Sequence, residues 1–314
     1  MTSLVLRRLL GAIPLLFVVS ISVFALLQFV PGDPALSIAG ETATREQLER
    51  IRDDLGLDRP FTAQYASWLA DAVRGDLGTS LFSSQPVADA IWSRLPATLS
   101  LTFTSTLVAL AIGVPAGIVS AVRPGGLIDR GVTVIASVGL AIPTFWLGIL
   151  LVVVFARNLG WFPPTGYIGI TDDPVQWARA LVLPSVALGS SASAAIARQS
   201  RSALVEVLQR DYITAARARG MGYGRVVAKH GCKNAAIPVL TVLGLQVVAL
   251  LGGSVVIEQV FAIPGVGSVA INAVSRRDIT MIQGVVVLSA LIVVAVNLVI
   301  DILYGYVNPK ARSR

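Results

Sequence analysis

The stretch LPATLSLTFTSTLVALAIGVPAGIVSAV (95–122) is the part of the sequence that decides the fold. Its 28 residues include no Asp, Glu, Lys or Arg. A helix that crosses the hydrocarbon core of a bilayer needs roughly 20 predominantly apolar residues. The stretch is therefore long enough for one complete crossing, and it predicts a chain whose solvent is lipid.

Five further runs without a charged residue have between 18 and 26 residues each. Hydrophobic residues make up 54% of the 314-residue chain and charged residues only 14%, against about 25% charged residues in a typical soluble domain. The first run ends in VPGDP (30–34) without a small-residue cleavage pattern, so we expect a retained helix rather than a signal peptide. We predict an all-α polytopic membrane protein, one transmembrane domain over 1–314, with six spanning helices near 8–30, 98–122, 132–156, 179–199, 236–259 and 281–303.

Proline and glycine residues modify the predicted spans. Pro115 and Pro143 interrupt the second and third spans, which permits kinks. Gly113 and Gly117 lie four residues apart and would let another helix approach closely. The uncharged stretch FAIPGVGSVA (261–270) is broken by one proline and two glycines. We expect a loop or a short re-entrant piece there, not a seventh span.

The distribution of Lys and Arg predicts the orientation of the spans. With the N-terminus inside, the inner segments hold 15 of the 25 Lys and Arg residues but only three of the 18 acidic residues. We therefore expect both termini to be cytoplasmic. The net charge of +7 then follows from the topology, and it gives no support to a nucleic-acid partner. The single Cys232 excludes an internal disulfide.

The longest polar segment, 32–94, is predicted to lie outside as a helical loop. Thr44 and Gln47 have capping-box spacing at the start of one helix, which Gly56 ends. FTAQYASWLADAV (61–73) carries an aromatic stripe at helical spacing, and PVADAIWSRL (86–95) indicates a third short helix. Two interpretations stay open: a folded cap on the ends of the spans, and a docking surface for an external partner.

Motifs for nucleotide binding and catalysis are absent from the sequence. No G-x-x-x-x-G-K-[ST] loop occurs, and GMGYG (220–224) follows a predicted helix where a dinucleotide fingerprint needs a strand. The only histidine, His230, cannot form a metal pair or a catalytic triad. Glu258 and Asp301 lie at the ends of spans, so no mid-membrane acid indicates ion coupling. We expect no enzyme activity, and energy for any uphill transport must come from a partner.

The inner basic segment, 200–235, contains DYITAARARGMGYG (211–224). The order of its residues predicts a short helix with Asp211 as the N-terminal cap and Gly220 as a left-handed C-terminal residue. Small alanines let such a helix sit deep in a partner's groove, and its arginines can pair with carboxylates. An alternative is a positive loop on anionic lipid, but lipid attraction explains only the charge.

Several motifs together resemble a known family. They are LLQFVPGDP (26–34), LGLDRPFTAQYASWL (55–69), GDLGTS (75–80), DYITAARARGMG (211–222), GGSVVIEQVFAIPGVG (252–267) and VNLVIDILYGYVNPKAR (296–312). In order and over nearly the whole chain, they resemble the B-type permease of the dipeptide, oligopeptide and nickel importers driven by ATP-binding-cassette (ABC) subunits. TAARARG with the downstream NAAIP is similar to the EAA loop of such permeases.

This resemblance implies a type I ABC importer permease fold in the bacterial inner membrane. The implied partners are a homologous second permease subunit, two cytoplasmic ATP-binding subunits that hold ATP and Mg²⁺, an external solute-binding protein and the lipid bilayer. No cofactor is expected in this chain itself. Di- or oligopeptides are the expected solutes, with nickel chelates and glutathione as alternatives. A non-transporting membrane scaffold and a secondary transporter remain open as other classes.

The resemblance also implies site residues. Ala215, Ala216 and Gly220 occupy the small positions of the EAA motif, and Thr214 stands where its glutamate often stands. The expected coupling helix, which docks onto an ATP-binding subunit, comprises Asp211, Thr214, Ala215, Ala216, Arg217, Arg219 and Gly220. An outer gate is expected at Glu258, Pro264, Gly265 and Gly267, and a structural pair near the inner end of the last span at Asn297 and Asp301.

Overall fold

The computed structural model describes residues 2–28, 34–39, 43–56 and 58–307. These residues form helices and loops, and the described part of the chain has no β-strand beyond one isolated bridge between Thr79 and Pro86. The helices are α1 (Thr2–Gln28), α2 (Pro34–Ala39), α3 (Arg45–Leu55), α4 (Phe61–Val73), α5 (Val87–Val122), α6 (Leu127–Ala141), α7 (Thr144–Leu151), α8 (Pro174–Leu208), α9 (Asp211–Ala218), α10 (Tyr223–Val226), α11 (Cys232–Val260), α12 (Val266–Arg276) and α13 (Ile279–Val307). Two π-helical segments, Val152–Asn158 and Val227–Gly231, follow α7 and α10.

Five helical segments are long and apolar enough to cross a membrane: Leu6–Leu26, Val87–Val122, Pro174–Leu208, Tyr223–Val260 and Ile279–Gly305. A sixth crossing exists if α6 and α7 with its π-helical extension count as one span, although these two pieces meet at an angle of 99°. The helical character and the approximate number of spans confirm the expected fold class.

Inside the third span predicted at 132–156, the chain bends sharply between α6 and α7, at the proline that the sequence marks as an interruption. Ile142, the residue before Pro143, is extended with φ −78° and ψ 123°. A residue that precedes proline avoids the helical region for steric reasons, and proline cannot donate the backbone hydrogen bond of a continuing helix. Pro143 therefore stands before the first residue of α7. Pro115 causes no such break, since α5 runs through it.

Two local predictions also need correction. The short helix predicted at 86–95 is not separate, because Val87 begins the long helix α5. The stretch 261–270 contains a loop, but its second part forms the first turns of the regular helix α12. In contrast, the Thr44 capping box is confirmed: Gln47 N–H donates to Thr44 Oγ1 at 3.3 Å, and Thr44 N–H donates to Gln47 Oε1 at 2.9 Å. Gly56 ends the helix in the left-handed conformation, as predicted.

The chain divides into two compact units, of which the first contains Ala97–Pro264 and the described residues between 295 and 307. Helix α8 lies at the centre of this unit. In its most apolar stretch 72% of the residues are buried, against 33% or less in the other four long apolar helices. Helices α6, α7 and α11 all contact α8. The buried core of this unit is formed by Leu101, Leu181, Leu188, Ile196, Leu243, Ile257 and Phe261, among others.

Glycines let α5 and α8 approach closely. A Cβ atom on Gly113 would lie 2.6 Å from the Ser193 carbonyl oxygen, and one on Gly117 would lie 2.5 Å from Ser200 Cβ. Gly189 on α8 has the reciprocal role, because its added Cβ would lie 2.7 Å from the Ser105 carbonyl oxygen of α5. The predicted close approach at Gly113 and Gly117 is confirmed.

The second unit contains Leu6–Pro96 and Gly265–Val294. Aromatic side chains join α1 to α4: Tyr65 lies edge-on to Phe17 and Phe24, and its hydroxyl shares a hydrogen bond of 2.8 Å with Ser20 Oγ. The predicted stripe on α4 therefore packs inward, with Tyr65 buried. A second hydrophobic cluster joins the start of α5 to α12 and α13 through Val87, Ile91, Leu95, Val266, Ala273, Met281 and Val285.

Candidate functional site

The short helix predicted in the inner basic segment is present as α9, an eight-residue helix between α8 and α10, and its coupling role stays a prediction. Its N-terminus differs from the prediction. Arg210, not Asp211, occupies the capping position, with an extended backbone and a carbonyl oxygen that accepts from Ile213 N–H at 2.9 Å. Asp211 is the first helical residue, where its carboxylate still interacts favourably with the positive end of the helix dipole. The Arg210 guanidinium instead pairs with Glu206, one turn earlier.

The C-terminus of α9 has the predicted left-handed glycine. Gly220 has φ +81°. Its N–H donates to the Arg217 carbonyl oxygen at 2.9 Å, and Met221 N–H donates to the Ala216 carbonyl oxygen at 3.3 Å. These two bonds form a Schellman motif, which satisfies carbonyl groups that a helix end leaves open. A side chain at this position would strain the backbone, so a glycine is required to end the helix here.

One face of α9 packs on its own chain. Ile213 and Ala216 are buried, at 2% and 8% exposure, against Val226 of α10. Leu208 and Met221 close the same small cluster. The side chain of Ala216 therefore packs inside its own chain, and a docking role for this residue stays a prediction. Its methyl group holds α9 on the loop, because the helix has turned this position inward.

The opposite face of α9 is exposed. Thr214, Ala215, Arg217 and Arg219 all point away from the protein core, as does Asp211. The Arg217 guanidinium lies 5.5 Å from the centre of the Tyr223 ring, a cation–π distance that limits its freedom. This face thus combines small side chains with the guanidinium groups of Arg217 and Arg219. Such a surface is suited to binding carboxylates.

The segment that follows α9 is anchored to the membrane-spanning helices. Gly231 lies against α8, where an added Cβ would be 2.8 Å from Leu204 Cδ1. Val227 and Leu204 belong to one buried cluster, which also contains Ala121 at the end of α5. The Tyr223 hydroxyl donates to the Val122 carbonyl oxygen at 3.3 Å. A force on α9 would therefore reach α5, α8 and α11 through contacts already in place.

A buried ion pair that the sequence did not predict lies near this segment. Asp129, at the start of α6, is only 3% exposed and accepts two hydrogen bonds from Arg201 of α8, at 2.5 and 2.7 Å. Ser120 of α5 and the N–H of Gly125 donate to the same carboxylate. The four donors join three helices at one end of the first unit. A signal was present, since Asp129 is one of few acids in the predicted inner loops and Arg201 follows a long apolar run.

The residues of the expected outer gate lie at the end of α11, in the loop that follows it and at the start of α12. Glu258 is 1% exposed, and Thr98 Oγ1 donates to its Oε1 at 2.7 Å. Ala262, two residues beyond the end of α11, is left-handed with φ +50°, and Pro264 follows two residues later. Gly265 precedes the first residue of α12, and Gly267 is buried in its first turn. The gating role of these residues stays a prediction.

The expected pair at the end of the last span lies on one helix. Asn297 is exposed and Asp301 is half-buried, one turn apart on α13. A structural role for the two residues stays a prediction. Within the described residues, no group of three His, Cys, Asp or Glu side chains could hold a metal ion.

The fold and the site together define a class of protein: a helical, multi-pass membrane protein with a short helix, partly exposed, between two of its candidate spans. The chain belongs to the family of binding-protein-dependent transport system inner membrane components, which matches residues 113–313. The N-terminal family of the same membrane components matches residues 1–102.

Named bacterial proteins are similar to the chain over its full length. The glutathione transport system permease protein GsiC of Escherichia coli K12 is 44% identical over 314 residues, covering 100% of both chains. A protein of Brucella abortus (strain 2308) that carries the name of a peptide transport system permease is 42% identical over 312 residues, covering 99% of both chains. These relatives confirm the expected membership in the peptide importer family, and the chain is the permease subunit of an ABC importer of the inner membrane.

A solved structure shares the fold. The MetNI methionine ABC transporter, in an inward-facing conformation, superposes with a TM-score of 0.54 and 24% identity, over 68% of this chain and 93% of the other. The expected ABC importer permease fold is confirmed by this likeness.

Proposed function

We propose that the chain forms one half of a translocation pore that imports di- or oligopeptides, with both termini in the cytoplasm. A related second permease forms the other half. Two cytoplasmic subunits bind ATP and Mg²⁺, and an external binding protein delivers the solute. The chain itself has no covalent chemistry to perform and needs no cofactor. The observation that carries the proposal is the geometry of α9.

Helix α9 has the properties that a coupling element requires. Its inner face is fixed by Ile213 and Ala216, and its C-terminus by the turn at Gly220. Such a helix presents Ala215 and Arg217 to a partner in one defined orientation. Because little conformational freedom remains to be lost, docking costs less than the ordering of a flexible loop would.

Alternating access then follows from the anchoring of α9. When the ATP-binding subunits close, the coupling helices of the two permeases move together. The contacts of Gly231 and Tyr223 pass this motion to α8 and α5. The packed helices move as rigid bodies, so the pore changes from inward-facing to outward-facing. Hydrolysis in the ATP-binding subunits resets the cycle.

Peptides are the solutes that the relatives support best. One relative is named for peptide transport and the other for glutathione, which is itself a tripeptide. Both solutes present amide groups and carboxylates, so a shared binding chemistry is expected. Nickel chelates remain the alternative within the family, and uptake of a labelled nickel chelate in preference to dipeptides would favour them.

The test is uptake and ATP hydrolysis by the complete importer in proteoliposomes. Ala215→Trp places a large side chain on the exposed face of α9 without touching the buried cluster. Ala178→Trp is the matched control, because Ala178 is also an exposed helical alanine but lies at the other end of α8. We expect Ala215→Trp to insert normally and to lose at least about 90% of dipeptide uptake, with the control near wild type. Full uptake by Ala215→Trp would exclude α9 as the coupling element.

A further inference from the structure

Helix α6 is held to the first unit by few side chains. Of its fifteen residues, two are buried, Asp129 and Ala136. Unlike α5, it has no glycine pressed against α8: within the described chain, no atom outside the helix would come within 4 Å of a Cβ added to Gly131 or Gly139. Its far end is the sharp bend before Pro143. The position of α6 beside α8 therefore depends strongly on what fixes its first turn.

Asp129 fixes this first turn through a bidentate ion pair. Arg201 Nε donates to Asp129 Oδ1 at 2.5 Å, and Arg201 Nη2 donates to Oδ2 at 2.7 Å. The N–H of Gly125 also donates to Oδ2 at 2.7 Å, and Ser120 Oγ donates to Oδ1. Two parallel hydrogen bonds between planar groups require one mutual orientation, whereas apolar contacts alone tolerate repacking. The pair thus specifies one position of α6 on α8.

The ion pair lies close to the contacts that anchor the segment following α9. Ser120 is followed on α5 by Ala121, which is buried in one cluster with Leu204 and Val227. Arg201 precedes Leu204 by three residues, which is about one turn of α8. The contacts through which α9 acts on α5 and α8 therefore end beside the carboxylate that holds α6.

We infer that Asp129 and Arg201 are positioning residues of the transport cycle: their ion pair makes α6 follow α8 when α9 is displaced. The two side chains act through the helices that carry them, not on the solute. Because α6 and α7 are the two pieces of one bent span, an α6 that lags behind α8 leaves the rearrangement of the pore incomplete. The inference rests on the proposed function, since it requires displacement of α9 by the ATP-binding subunits.

A double substitution separates the orientation of the helices from their stability. Removal of one partner of a buried pair leaves an unpaired charge and destabilises strongly, whereas replacement of both partners by uncharged groups of similar volume is often neutral. Asp129→Asn keeps an oxygen that accepts from Ser120 and Gly125, and Arg201→Met keeps most of the length of the arginine stem. The double variant Asp129→Asn/Arg201→Met therefore loses the bidentate orientation without an unpaired charge.

The experiment measures dipeptide uptake and ATP hydrolysis by the complete importer in proteoliposomes, with saturating peptide-loaded binding protein. The double variant is compared with Asp129→Asn alone and with the charge-preserving Asp129→Glu. The control, Asp71→Asn/Arg74→Gln, removes an exposed pair of 3.6 Å in α4 and the residue after it. We expect the double variant to melt near the wild type and to hydrolyse ATP at the wild-type rate, while uptake per ATP falls about tenfold. Asp129→Glu should recover part of this loss, and the control should match the wild type.

A distance measurement follows α6 directly. Spin labels are placed at Ile135→Cys on α6 and Val182→Cys on α8, two exposed positions, in a chain with Cys232→Ser. With the ion pair intact, we expect the same distance distribution with and without trapped nucleotide, because α6 and α8 move as one body. In the double variant the distribution should shift or broaden when nucleotide is trapped.

Three outcomes would overturn the inference. The first is wild-type uptake per ATP in the double variant, and the second is a loss of stimulated ATP hydrolysis together with uptake, which would assign the pair to the docking of partner subunits. The third is a distance between α6 and α8 that changes with nucleotide while the ion pair is intact. That measurement does not depend on the folding of the charge variants. Failure of the proposed function gives a different result, since the wild-type importer would then show no ATP-driven uptake at all.

Discussion

The substitution Gly117→Ala tests the contact between α5 and α8 most sharply. The added methyl carbon would lie 2.5 Å from Ser200 Cβ and 2.6 Å from the Ala197 carbonyl oxygen, whereas carbon atoms in good contact are about 3.5–4.0 Å apart. The helices must separate or distort, which costs about 1–3 kcal/mol. Gly139→Ala is the matched control, because Gly139 lies inside α6 and nothing approaches its added Cβ within 4 Å.

The comparison isolates the packing cost. Both variants gain the same preference of alanine over glycine in a helix, worth up to about 1 kcal/mol. That gain cancels in the difference, which leaves the full steric cost at Gly117. At about 2 °C per kcal/mol for a chain of this size, Gly117→Ala should melt about 2–6 °C below Gly139→Ala. The assay is thermal unfolding of the purified protein in detergent. An equal or higher melting temperature for Gly117→Ala would refute the close crossing.

Two further predictions concern stability. Asp129→Ala leaves the Arg201 guanidinium without its carboxylate and should cost about 3 kcal/mol, the lower end of the range for such pairs, because the Arg201 side chain is 33% exposed. Glu206→Ala removes the carboxylate of an exposed ion pair and should lower the free energy of unfolding by less than about 1 kcal/mol. Equal losses of stability in the two variants would contradict this difference between a buried and an exposed pair. Ala262→Gly should raise the free energy of unfolding by up to about 1 kcal/mol, because alanine is strained at the left-handed φ of +50°. Gly220→Ala should have the opposite sign, and two shifts of the same sign would show that backbone strain is not the cause.

The sequence predicted what depends on local composition. Charge-free runs located the spans, because a bilayer requires a continuous apolar length whatever the neighbours are. Gly113 and Gly117 predicted the close helix crossing, because two helices can approach this closely only where a side chain is absent. The terminating role of Gly220 was also predictable, as few other residues accept a left-handed backbone.

What the sequence could not show depends on tertiary contacts. The pair between Asp129 and Arg201 joins residues 72 positions apart, and nothing local identifies either as the other's partner. The inward direction of Ala216 depends on where Val226 packs, so the sequence could not show that Ala216 is buried while the neighbouring Ala215 is exposed.

Photocrosslinking from α9 shows whether this helix docks on an ATP-binding subunit. A benzoyl-phenylalanine at position 215, on the exposed face, is compared with one at position 178, also exposed, in membranes that contain the complete importer. We predict that Ala215→benzoyl-phenylalanine links to an ATP-binding subunit, with a yield that changes when ATP is added, and that the substitution at Ala178 gives no such product. A correctly inserted chain that never links from position 215, with or without nucleotide, would contradict the docking of α9 on the subunits that supply the energy.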